Sequence, residues 1–289
     1  MKLCLSCTQT FTASTWNCPY CDYKPEIRGG FPTFAPELAS DEGFKDSHFH
    51  ELVALESRNF WFRARNRLIL WALKCYFPIA ESMLEIGCGT GFVLSGVATS
   101  KAKLVLSGSE ISNTGLAYAS SRVSNADFFQ MDARAIPFVD EFDVIGAFDV
   151  LEHINEDEVV LSQMYRAVRP GGGILLTVPQ HDFLWSYTDE HACHVRRYSA
   201  KDLVAKVSAA GFSVVRMTSF VSLLLPLMMA SRSLKPMADD KYDSMSELRI
   251  DGLINYLFEK VMTVERSAIR AGLNFPAGGS LLLVARKNL

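Results

Sequence analysis

The sequence predicts an α/β fold built on a doubly wound, mostly parallel β-sheet, and two patterns carry this prediction. Short apolar segments alternate with helical segments from residue 83 onward, which is typical of parallel strands joined by helices. The segment at 142–148 is largely apolar, as expected for a strand that helices cover on both faces. Predicted strands are 83–87, 103–109, 126–131, 142–148, 173–178, 212–219 and 280–286. Predicted helices lie near 92–100, 114–123, 156–168 and 200–210.

Composition and charge restrict the classes of function. The chain has 289 residues, of which 49% are hydrophobic and 21% charged, with a net charge of -3 and a pI near 6.1. This balance provides no overall basic field, which disfavours extensive nucleic-acid binding without excluding it. The longest apolar run, 220–230, contains Pro226 and is shorter than the roughly 20 residues of a membrane-spanning helix. With no basic-then-apolar segment at the N-terminus, we expect a cytoplasmic protein.

Four of the seven cysteines form two closely spaced pairs, Cys4-x-x-Cys7 and Cys18-x-x-Cys21. Two such pairs can place four thiolates around one tetrahedral Zn²⁺, and a complete thiolate set leaves no coordination position for catalysis. We therefore predict a structural zinc ribbon over residues 1–26. Two redox-active dithiols or two disulfides are the alternatives.

A linker is predicted at 27–47, and a helical segment at 48–77 follows it because its apolar residues recur at helical spacing. Within that segment, 56–68 reads ESRNFWFRARNRL and places aromatic residues beside arginines. One interpretation is a cap over a bound ligand, in which an arginine holds a carboxylate through two hydrogen bonds. The other is an amphipathic helix whose aromatic residues pack on the sheet. Phe60 and Arg65 are the candidate binding residues of this segment.

A glycine-rich turn, LEIGCGTG at 84–91, follows the first strand of the alternating region. Its three glycines are Gly87, Gly89 and Gly91. A strand, a glycine turn and a helix together are typical of a nucleotide-binding site, although a tight turn without a ligand remains the alternative. The spacing is not that of a dinucleotide fingerprint, because position 92 is Phe92. The acid Glu85 before the turn suits an amine-bearing ligand, and Cys88 is interpreted as a small residue of the turn.

Acidic residues stand at the ends of four successive predicted strands: Glu85, Glu110, Asp132 and Asp149. In an open parallel sheet the ligand binds beyond the carboxyl ends of the strands. Glu110 stands where an acid accepts hydrogen bonds from a ribose diol, and Asp132 could meet an adenine amino group. One such acid is often only a helix cap, but that explanation does not readily account for four.

In combination these motifs resemble the class I S-adenosylmethionine-dependent methyltransferases, which have a Rossmann-like fold. The matching features are LEIGCGTG, Glu110, QMDA at 130–133, FDVLEHI at 148–154 and RPGGGILLTVP at 169–179. The resemblance covers about 51–219 and resumes at the last strand. It implies a seven-stranded sheet that closes with an antiparallel hairpin, so that the last strand, and the strand before it, should oppose the others.

The resemblance also implies S-adenosylmethionine as cofactor, with S-adenosylhomocysteine as product. The glycine turn and Glu85 would hold the methionine end, Glu110 the ribose and the region of Asp132 the adenine. The full set of implied cofactor-binding residues is Phe60, Arg65, Glu85, Gly87, Cys88, Gly89, Gly91, Glu110, Ile111, Asp132, Ala133, Phe148 and Asp149.

Three histidines are candidate catalytic bases for attack on the sulfonium methyl: His153, His181 and His194. His153 follows the fourth strand, where a structural role beside Glu152 is the alternative. His181 and His194 belong to 178–203, a segment that overhangs the methyl-transfer site in this family. His194, within an H-x-R-R-Y-type motif, could instead latch this segment to the next helix.

A similar E-x-x-E-H stretch binds a divalent metal in some quinone-biosynthesis O-methyltransferases. Here the first acid is Asp149, so the pattern is met only in part.

The segment 220–279 departs from the family, whose members often have a short turn between the last two strands. It contains an apolar piece, a polar loop at 238–246 and a helix at 248–271 with one apolar face. We expect a cap around a hydrophobic acceptor or a homodimer contact, and peripheral membrane contact is disfavoured because no basic cluster accompanies the apolar run. The methyltransferase domain is predicted at 48–219 with 280–289.

The predicted function is methyl transfer to a small-molecule or lipid- or glycan-linked acceptor. The chain resembles bacterial methyltransferases of unassigned substrate that share the ribbon, FWFRARN and PAGGSLLLVARK. A methyltransferase of ribosomal or transfer RNA is the alternative, because a zinc ribbon ahead of this fold also resembles certain rRNA guanine methyltransferases. The acidic balance and the lack of an N-P-P-Y-type motif weigh against it. A non-catalytic cofactor-binding protein is the second alternative.

Overall fold

The computed structural model describes residues 1–39, 46–234 and 249–289. The end of the predicted linker and the predicted polar loop at 238–246 lie outside the described residues. The strands are β1 (Lys2–Leu3), β2 (Thr10–Phe11), β3 (Glu26–Arg28), β4 (Phe31–Thr33), β5 (Ser82–Ile86), β6 (Val105–Glu110), β7 (Ala126–Gln130), β8 (Phe142–Phe148), β9 (Val168–Pro179), β10 (Ser213–Phe220) and β11 (Ser280–Arg286). The helices are α1 (Asp46–Glu56), α2 (Phe60–Tyr76), α3 (Phe92–Ser100), α4 (Asn113–Arg122), α5 (Asp157–Ala167), α6 (Tyr187–His191), α7 (Ala200–Ala209), α8 (Leu225–Leu234) and α9 (Gly252–Arg270).

The central sheet orders its described strands β10-β11-β9-β8-β5-β6-β7-β4-β3. The pairs from β9 through β7 are parallel, and β11 is antiparallel to both β9 and β10. The prediction of a mostly parallel sheet with an antiparallel last strand is therefore confirmed. The strand before it, β10, runs with the parallel strands, so the expectation that β10 would oppose them was wrong. The chain crosses from β9 to β10 through α7, and β11 then fills the space between them.

The sheet has nine described strands where seven were expected, because a hairpin extends its far edge. The hairpin β3–β4 lies in the stretch predicted as a linker and joins the edge strand β7 in parallel at Thr33 and Gln130. The side chain of Gln130 is buried and bonds the backbone of Ala35 twice, at 3.0 and 2.7 Å. Pairing of this kind covers an edge that would otherwise expose backbone hydrogen-bonding groups.

Helices cover both faces of the sheet, which explains why its central strands are apolar on both sides. In β5, Met83 packs into the core formed with α2, α3 and α4, whereas Leu84 packs into the opposite core formed with α5 and α7. All carboxyl ends of β5, β6, β7 and β8 meet at one edge, and this edge positions the site.

The single helix predicted at 48–77 is in fact two helices, α1 and α2. The break falls at 57–59, and Asn59 begins α2 as its N-cap, its side chain accepting a hydrogen bond from Trp61 N at 2.8 Å. Asparagine favours caps over helix interiors because its side chain competes for backbone donors. Asn255 of α9 strengthens the break by accepting a hydrogen bond from Phe60 N at 2.7 Å.

The described part of the segment between β10 and β11 contains two helices, α8 and α9. Its helix α9 packs along α2, and Glu259 of α9 pairs with Arg63 and Arg67 of α2. Buried Glu265 accepts three backbone N–H groups, those of Val221, Ser222 and Leu223, at 2.6–2.8 Å. The start of the insertion is thereby fixed to α9. None of the helices in the described ranges is long and apolar enough to cross a membrane.

The N-terminal cysteine segment packs against the sheet. Trp16 makes edge-to-face contacts with Phe34, Phe129 and Phe138 at centroid distances of 4.7, 5.7 and 5.3 Å. The backbone N–H of Leu3 also donates to the carbonyl of Pro137 at 2.9 Å. Aromatic pairs of this geometry each contribute about 0.5–1.5 kcal/mol beyond area burial, so this segment is anchored to the domain.

Candidate active site

The glycine turn lies between β5 and α3, and all three of its glycines have positive φ. Gly91 has φ +75°, and a Cβ there would lie 2.9 Å from the Cα of Ala119, so glycine is required for α3 to pack on α4. Gly89 has φ +52°, and no atom of the described chain lies within 4 Å of its ideal Cβ position. The turn therefore presents its backbone openly at Gly89, which is the position a ligand can approach.

Glu110 ends β6 beside this turn and organises it. Its carboxylate accepts hydrogen bonds from Gly89 N at 2.9 Å, Ile111 N at 2.8 Å and Ser112 N at 3.3 Å. Burial raises the pKa of Glu110, and these backbone donors oppose the shift. The two carboxylate oxygens have four lone pairs, of which these donors use three, so acceptor capacity remains for one ligand hydroxyl group.

Cys88 is a buried member of the turn, as the sequence predicted for a small residue. Burial, followed by the charges of Glu85 and Glu110, raises the pKa of its thiol well above the usual value. The thiol is therefore uncharged at neutral pH, and the Cys88 side chain packs in the core.

Glu85 and Arg65 form the polar floor of the site. Both are buried, and neither Oε2 of Glu85 nor Nε of Arg65 has a hydrogen-bond partner among the residues that the structure describes. Arg65 pairs with Asp149 at the end of β8 and lies over the ring of Trp61, 4.6 Å from its centroid. Burial raises the pKa of Glu85 to about 8, partly offset by Arg65, and lowers the pKa of Arg65 to about 10. Buried titratable groups with unsatisfied polar atoms are unusual and are expected where a ligand binds.

Asp132 follows β7, as expected, but its carboxylate is engaged. It accepts hydrogen bonds from the backbone N–H of Arg134 at 2.8 Å and from Nε of the same residue at 2.9 Å. Arg134 also pairs with Glu156 at 3.0 Å. The assignment of Asp132 to an adenine amino group stays a prediction.

The apolar candidates have different surroundings. Ile111 is 39% exposed at the rim, whereas Ala133 and Phe148 are buried. Phe60 is also buried and meets Phe258 of α9 edge to face, with centroids 5.2 Å apart. This contact favours the packing interpretation of the aromatic segment for Phe60, while the position of Arg65 favours the ligand interpretation for the arginine.

Of the three candidate histidines, His153 and His194 lie together. Their ring centroids are 4.7 Å apart, and Nδ1 of His194 lies 2.8 Å from Oδ1 of Asp189. His181 is outside this group; its ring stacks on Phe183 with centroids 4.8 Å apart. His194 is thus held by Asp189 of its own segment, not by the next helix, and its role as a base stays a prediction.

The electrostatics at this end of the sheet are unusual. Burial raises the pKa of Glu152 to about 8, with Arg65 and Arg197 opposing the shift. Desolvation, followed by the charge of His194, lowers the pKa of His153 to about 4, although the residue is exposed. Burial, followed by Arg197, also lowers the pKa of His181.

Sequence reasoning missed one residue that supports the glycine turn, Glu56 at the end of α1. Its buried carboxylate accepts hydrogen bonds from Thr90 Oγ1 at 2.6 and 2.7 Å and from Arg122 at 2.9 Å. The only available signal was an acid at the start of the aromatic segment, and nothing local in the sequence connects it to a threonine 34 residues later.

The four N-terminal cysteines converge as predicted. One sulfur pair, Cys4–Cys21, is 3.6 Å apart and the other, Cys7–Cys18, is 3.7 Å apart. Thiolates bound to a tetrahedral Zn²⁺ at about 2.3 Å lie about 3.8 Å from one another. The cluster has the size that a four-cysteine zinc site requires.

Comparison with known proteins identifies the domain. A family model described as a methyltransferase domain matches residues 53–217, which is more than half of the chain. The chain belongs to this family. The matched residues include the glycine turn, the acids at the strand ends and the three histidines, but not the cysteine ribbon or α9.

Two curated proteins are similar to parts of this chain. A Mycolicibacterium smegmatis protein assigned as an S-adenosylmethionine-dependent methyltransferase is 25% identical over 166 residues, 56% of this chain and 63% of the relative. The ubiquinone/menaquinone biosynthesis C-methyltransferase UbiE of Pseudoalteromonas translucida is 38% identical over 64 residues, 21% of this chain and 26% of the relative. The chain thus spans less than two thirds of either curated relative.

A solved structure supports the fold. It is the complex between the Haloferax volcanii Trm112 methyltransferase activator and a candidate methyltransferase. The similarity has a TM-score of 0.59 at 18% identity and covers 84% of this chain and 96% of that chain.

Proposed function

We propose that this chain transfers a methyl group from S-adenosylmethionine to a small-molecule or a lipid- or glycan-linked acceptor. The observation that carries the proposal is that buried Glu85 and Arg65 lie beside an open glycine turn, each with a polar atom that has no partner among the described residues. The methionine end of the cofactor has one ammonium and one carboxylate, so Glu85 and Arg65 offer it complementary charges.

The remaining cofactor contacts follow from position along the edge of the sheet. Glu110 would accept a ribose hydroxyl with the lone pair of Oε2 that its three backbone donors leave free. Exposed Ile111 offers an apolar surface for adenine, with Ala133 and Asp132 beyond it at the end of β7. Phe148 and Asp149 would border the methionine end, and Asp149 holds Arg65 in place.

When bound, the cofactor supplies an electrophilic methyl group on a positively charged sulfur. The chain contributes alignment of the acceptor with that methyl group and exclusion of water. Where the acceptor must lose a proton, His153, His194 or His181 would receive it. His153 and His194 stand together beyond β8, whereas His181 lies apart from them.

The insertion offers a wall for an apolar acceptor. Arg232 of α8 donates hydrogen bonds to Ser186 and Thr188 of the segment that carries His181 and His194, so α8 adjoins that segment. Phe183 is 61% and Leu227 of α8 is 52% exposed. Apolar side chains around a polar centre suit an acceptor with a hydrophobic body and one reactive polar atom.

The test has two stages. Calorimetry with the full chain is expected to show one S-adenosylmethionine site, and label from the cofactor methyl group is expected to appear in a hydroxylated small molecule or lipid-linked acceptor. Labelling of RNA with a salt-sensitive affinity would instead support the RNA alternative. Cofactor binding with no acceptor labelled in any class would support a binding protein, and the lack of any isotherm would reject the proposal.

We expect cofactor binding to release a proton through Glu85. Its pKa of about 8 leaves most of the unliganded side chain protonated at pH 7, whereas pairing with an ammonium group requires the carboxylate. Affinity should therefore rise from about pH 6 to about pH 8, and calorimetry in buffers of different ionisation enthalpy should detect about one proton released at pH 7.

Glu85→Gln should abolish this release and weaken binding by about 1.5–3 kcal/mol, roughly 10- to 150-fold. Glu152→Gln is the control, since the pKa of Glu152 is also about 8, and it should keep the release. A wild-type enthalpy independent of the buffer would show that Glu85 does not receive the ammonium.

We further propose that the four cysteines hold one structural Zn²⁺. Cys18→Ser should lower the zinc content from one ion per chain to none and make the first 25 or so residues sensitive to protease. Affinity for S-adenosylmethionine should change by less than about twofold, because the observed aromatic contacts of the ribbon are with Phe34, Phe129 and Phe138, none of which belongs to the glycine turn. Cys75→Ser, at an exposed cysteine outside the cluster, is the control. A lost cofactor isotherm in Cys18→Ser would refute the purely structural role.

A further inference from the structure

Three side chains from two distant segments meet beyond the carboxyl end of β8: Glu152, His153 and His194. One nitrogen or carboxylate oxygen of each lies within 4.8 Å of the corresponding atoms of the other two. Nitrogen and oxygen ligands at about 2.1 Å from a common ion lie roughly 3–4 Å apart. Small inward rotations of these side chains would therefore bring them to coordination distance.

Glu152 lacks the partners that a buried carboxylate requires. It is fully buried, and within the described ranges no group donates a hydrogen bond to either of its oxygens. Glu265, by contrast, is buried just as deeply and accepts three backbone N–H groups. A cation beside the two imidazoles is the partner that would satisfy Glu152.

The surroundings of His194 orient it toward the same point. The backbone N–H of Val195 donates to the carbonyl of Glu152 at 2.7 Å and fixes the two segments together. Oδ1 of buried Asp189 lies 2.8 Å from Nδ1 of His194, and it also accepts a hydrogen bond from Nε of Arg197 at 2.8 Å. A carboxylate on one imidazole nitrogen leaves the other, Nε2, available as a metal ligand, and such carboxylate–histidine pairs commonly orient metal-binding imidazoles.

We propose that Glu152, His153 and His194 bind one divalent ion of the transition-metal class, such as Mn²⁺ or Zn²⁺. Two imidazoles and one carboxylate suit such an ion and leave coordination positions open. Asp149 is not a ligand, because it is paired with Arg65, so this set differs from the partial D-x-x-E-H motif of the sequence. Resting on the proposed function, the open positions would take an acceptor oxygen and lower the pKa of its hydroxyl group.

The test uses Mn²⁺ alone, titrated into the full chain with zinc retained in the ribbon and with neither cofactor nor acceptor added. Four thiolates select Zn²⁺ over the oxygen-preferring Mn²⁺, so the ribbon does not compete. Electron paramagnetic resonance should show one bound Mn²⁺ per chain. Glu152→Gln and His194→Asn should each weaken binding by at least tenfold, and Asp189→Asn by about tenfold.

Two matched variants sharpen the result. Asp149→Asn removes an acid of the same stretch, and His50→Asn changes an exposed position of α1. Each variant should keep its Mn²⁺ affinity within about twofold of the wild type. Failure of the wild-type chain to bind Mn²⁺ would overturn the site. So would Glu152→Gln and His194→Asn variants that bind Mn²⁺ as tightly as the wild-type chain does. If Glu152→Gln does not fold, as judged by circular dichroism, the partly exposed His194→Asn decides.

Calorimetry with S-adenosylmethionine on the same samples separates this inference from the proposed function. Cofactor binding without Mn²⁺ binding would reject the metal site alone. Mn²⁺ binding without cofactor binding would support the metal site and reject the proposed function.

Discussion

Gly89→Val is expected to abolish S-adenosylmethionine binding, raising the dissociation constant by more than about 100-fold, while the chain still folds. The position faces open space, so a valine side chain would occupy the volume that the ligand needs. The left-handed backbone adds a strain of about 1–2 kcal/mol, which a domain of this size tolerates. Calorimetry gives the affinity, and thermal unfolding shows that the fold persists.

Gly29→Val is the matched control for that substitution. Gly29 has φ +59°, close to the +52° of Gly89, and its ideal Cβ makes only an ordinary 3.7 Å contact with Phe31. Both variants carry similar backbone strain, but only Gly89 lies in the glycine turn between β5 and α3. Equal affinity of the two variants for the cofactor would contradict a binding role for the turn.

Glu110→Ala is expected to weaken cofactor binding by about 2–4 kcal/mol, roughly 30- to 800-fold. The variant loses the hydrogen bond to the ribose and also the support that Glu110 gives to Gly89 N and Ile111 N. Glu110→Gln keeps one acceptor oxygen and should fall between wild type and alanine. An unchanged dissociation constant for Glu110→Ala would count against the ribose assignment, and Glu158→Ala, at an exposed position of α5, is the surface control.

The parts that the sequence predicted well are those that local physics determines. The buried strands β5 and β8 are apolar because helices cover both faces, and the glycines after β5 mark a turn with positive φ. The spacing of the two cysteine pairs predicted that the four sulfurs would lie together, because this spacing is typical of a four-cysteine zinc site. At these positions the type of each residue is enough to predict its local structure.

The parts that it predicted poorly depend on distant residues. The break between α1 and α2 is reinforced by Asn255, nearly 200 residues later, which no helical periodicity reveals. The hairpin β3–β4 resembles a linker until Gln130 of β7 is seen to hold it. The engagement of Asp132 by Arg134 was local, but an acid at a strand end suggests a ligand and a salt bridge equally.

The site shows the same division. Glu85, Glu110 and Asp149 were identifiable because parallel strands bring their carboxyl ends to one edge. The convergence of His194 on Glu152 was not, since it depends on the backbone bond from Val195 and on the buried pair of Asp189 with Arg197. Motif order predicts the donor side, whereas tertiary contacts determine the side that faces the acceptor.

A structure with S-adenosylhomocysteine bound tests the central claim most directly. The account predicts a ribose hydroxyl within hydrogen-bond distance of Glu110, the amino group beside Glu85 and the carboxylate at Arg65, with the backbone of Gly89 against the ligand. Binding away from the carboxyl ends of β5 and β6, or a bound ligand that leaves Glu85 and Arg65 without contacts, would contradict it.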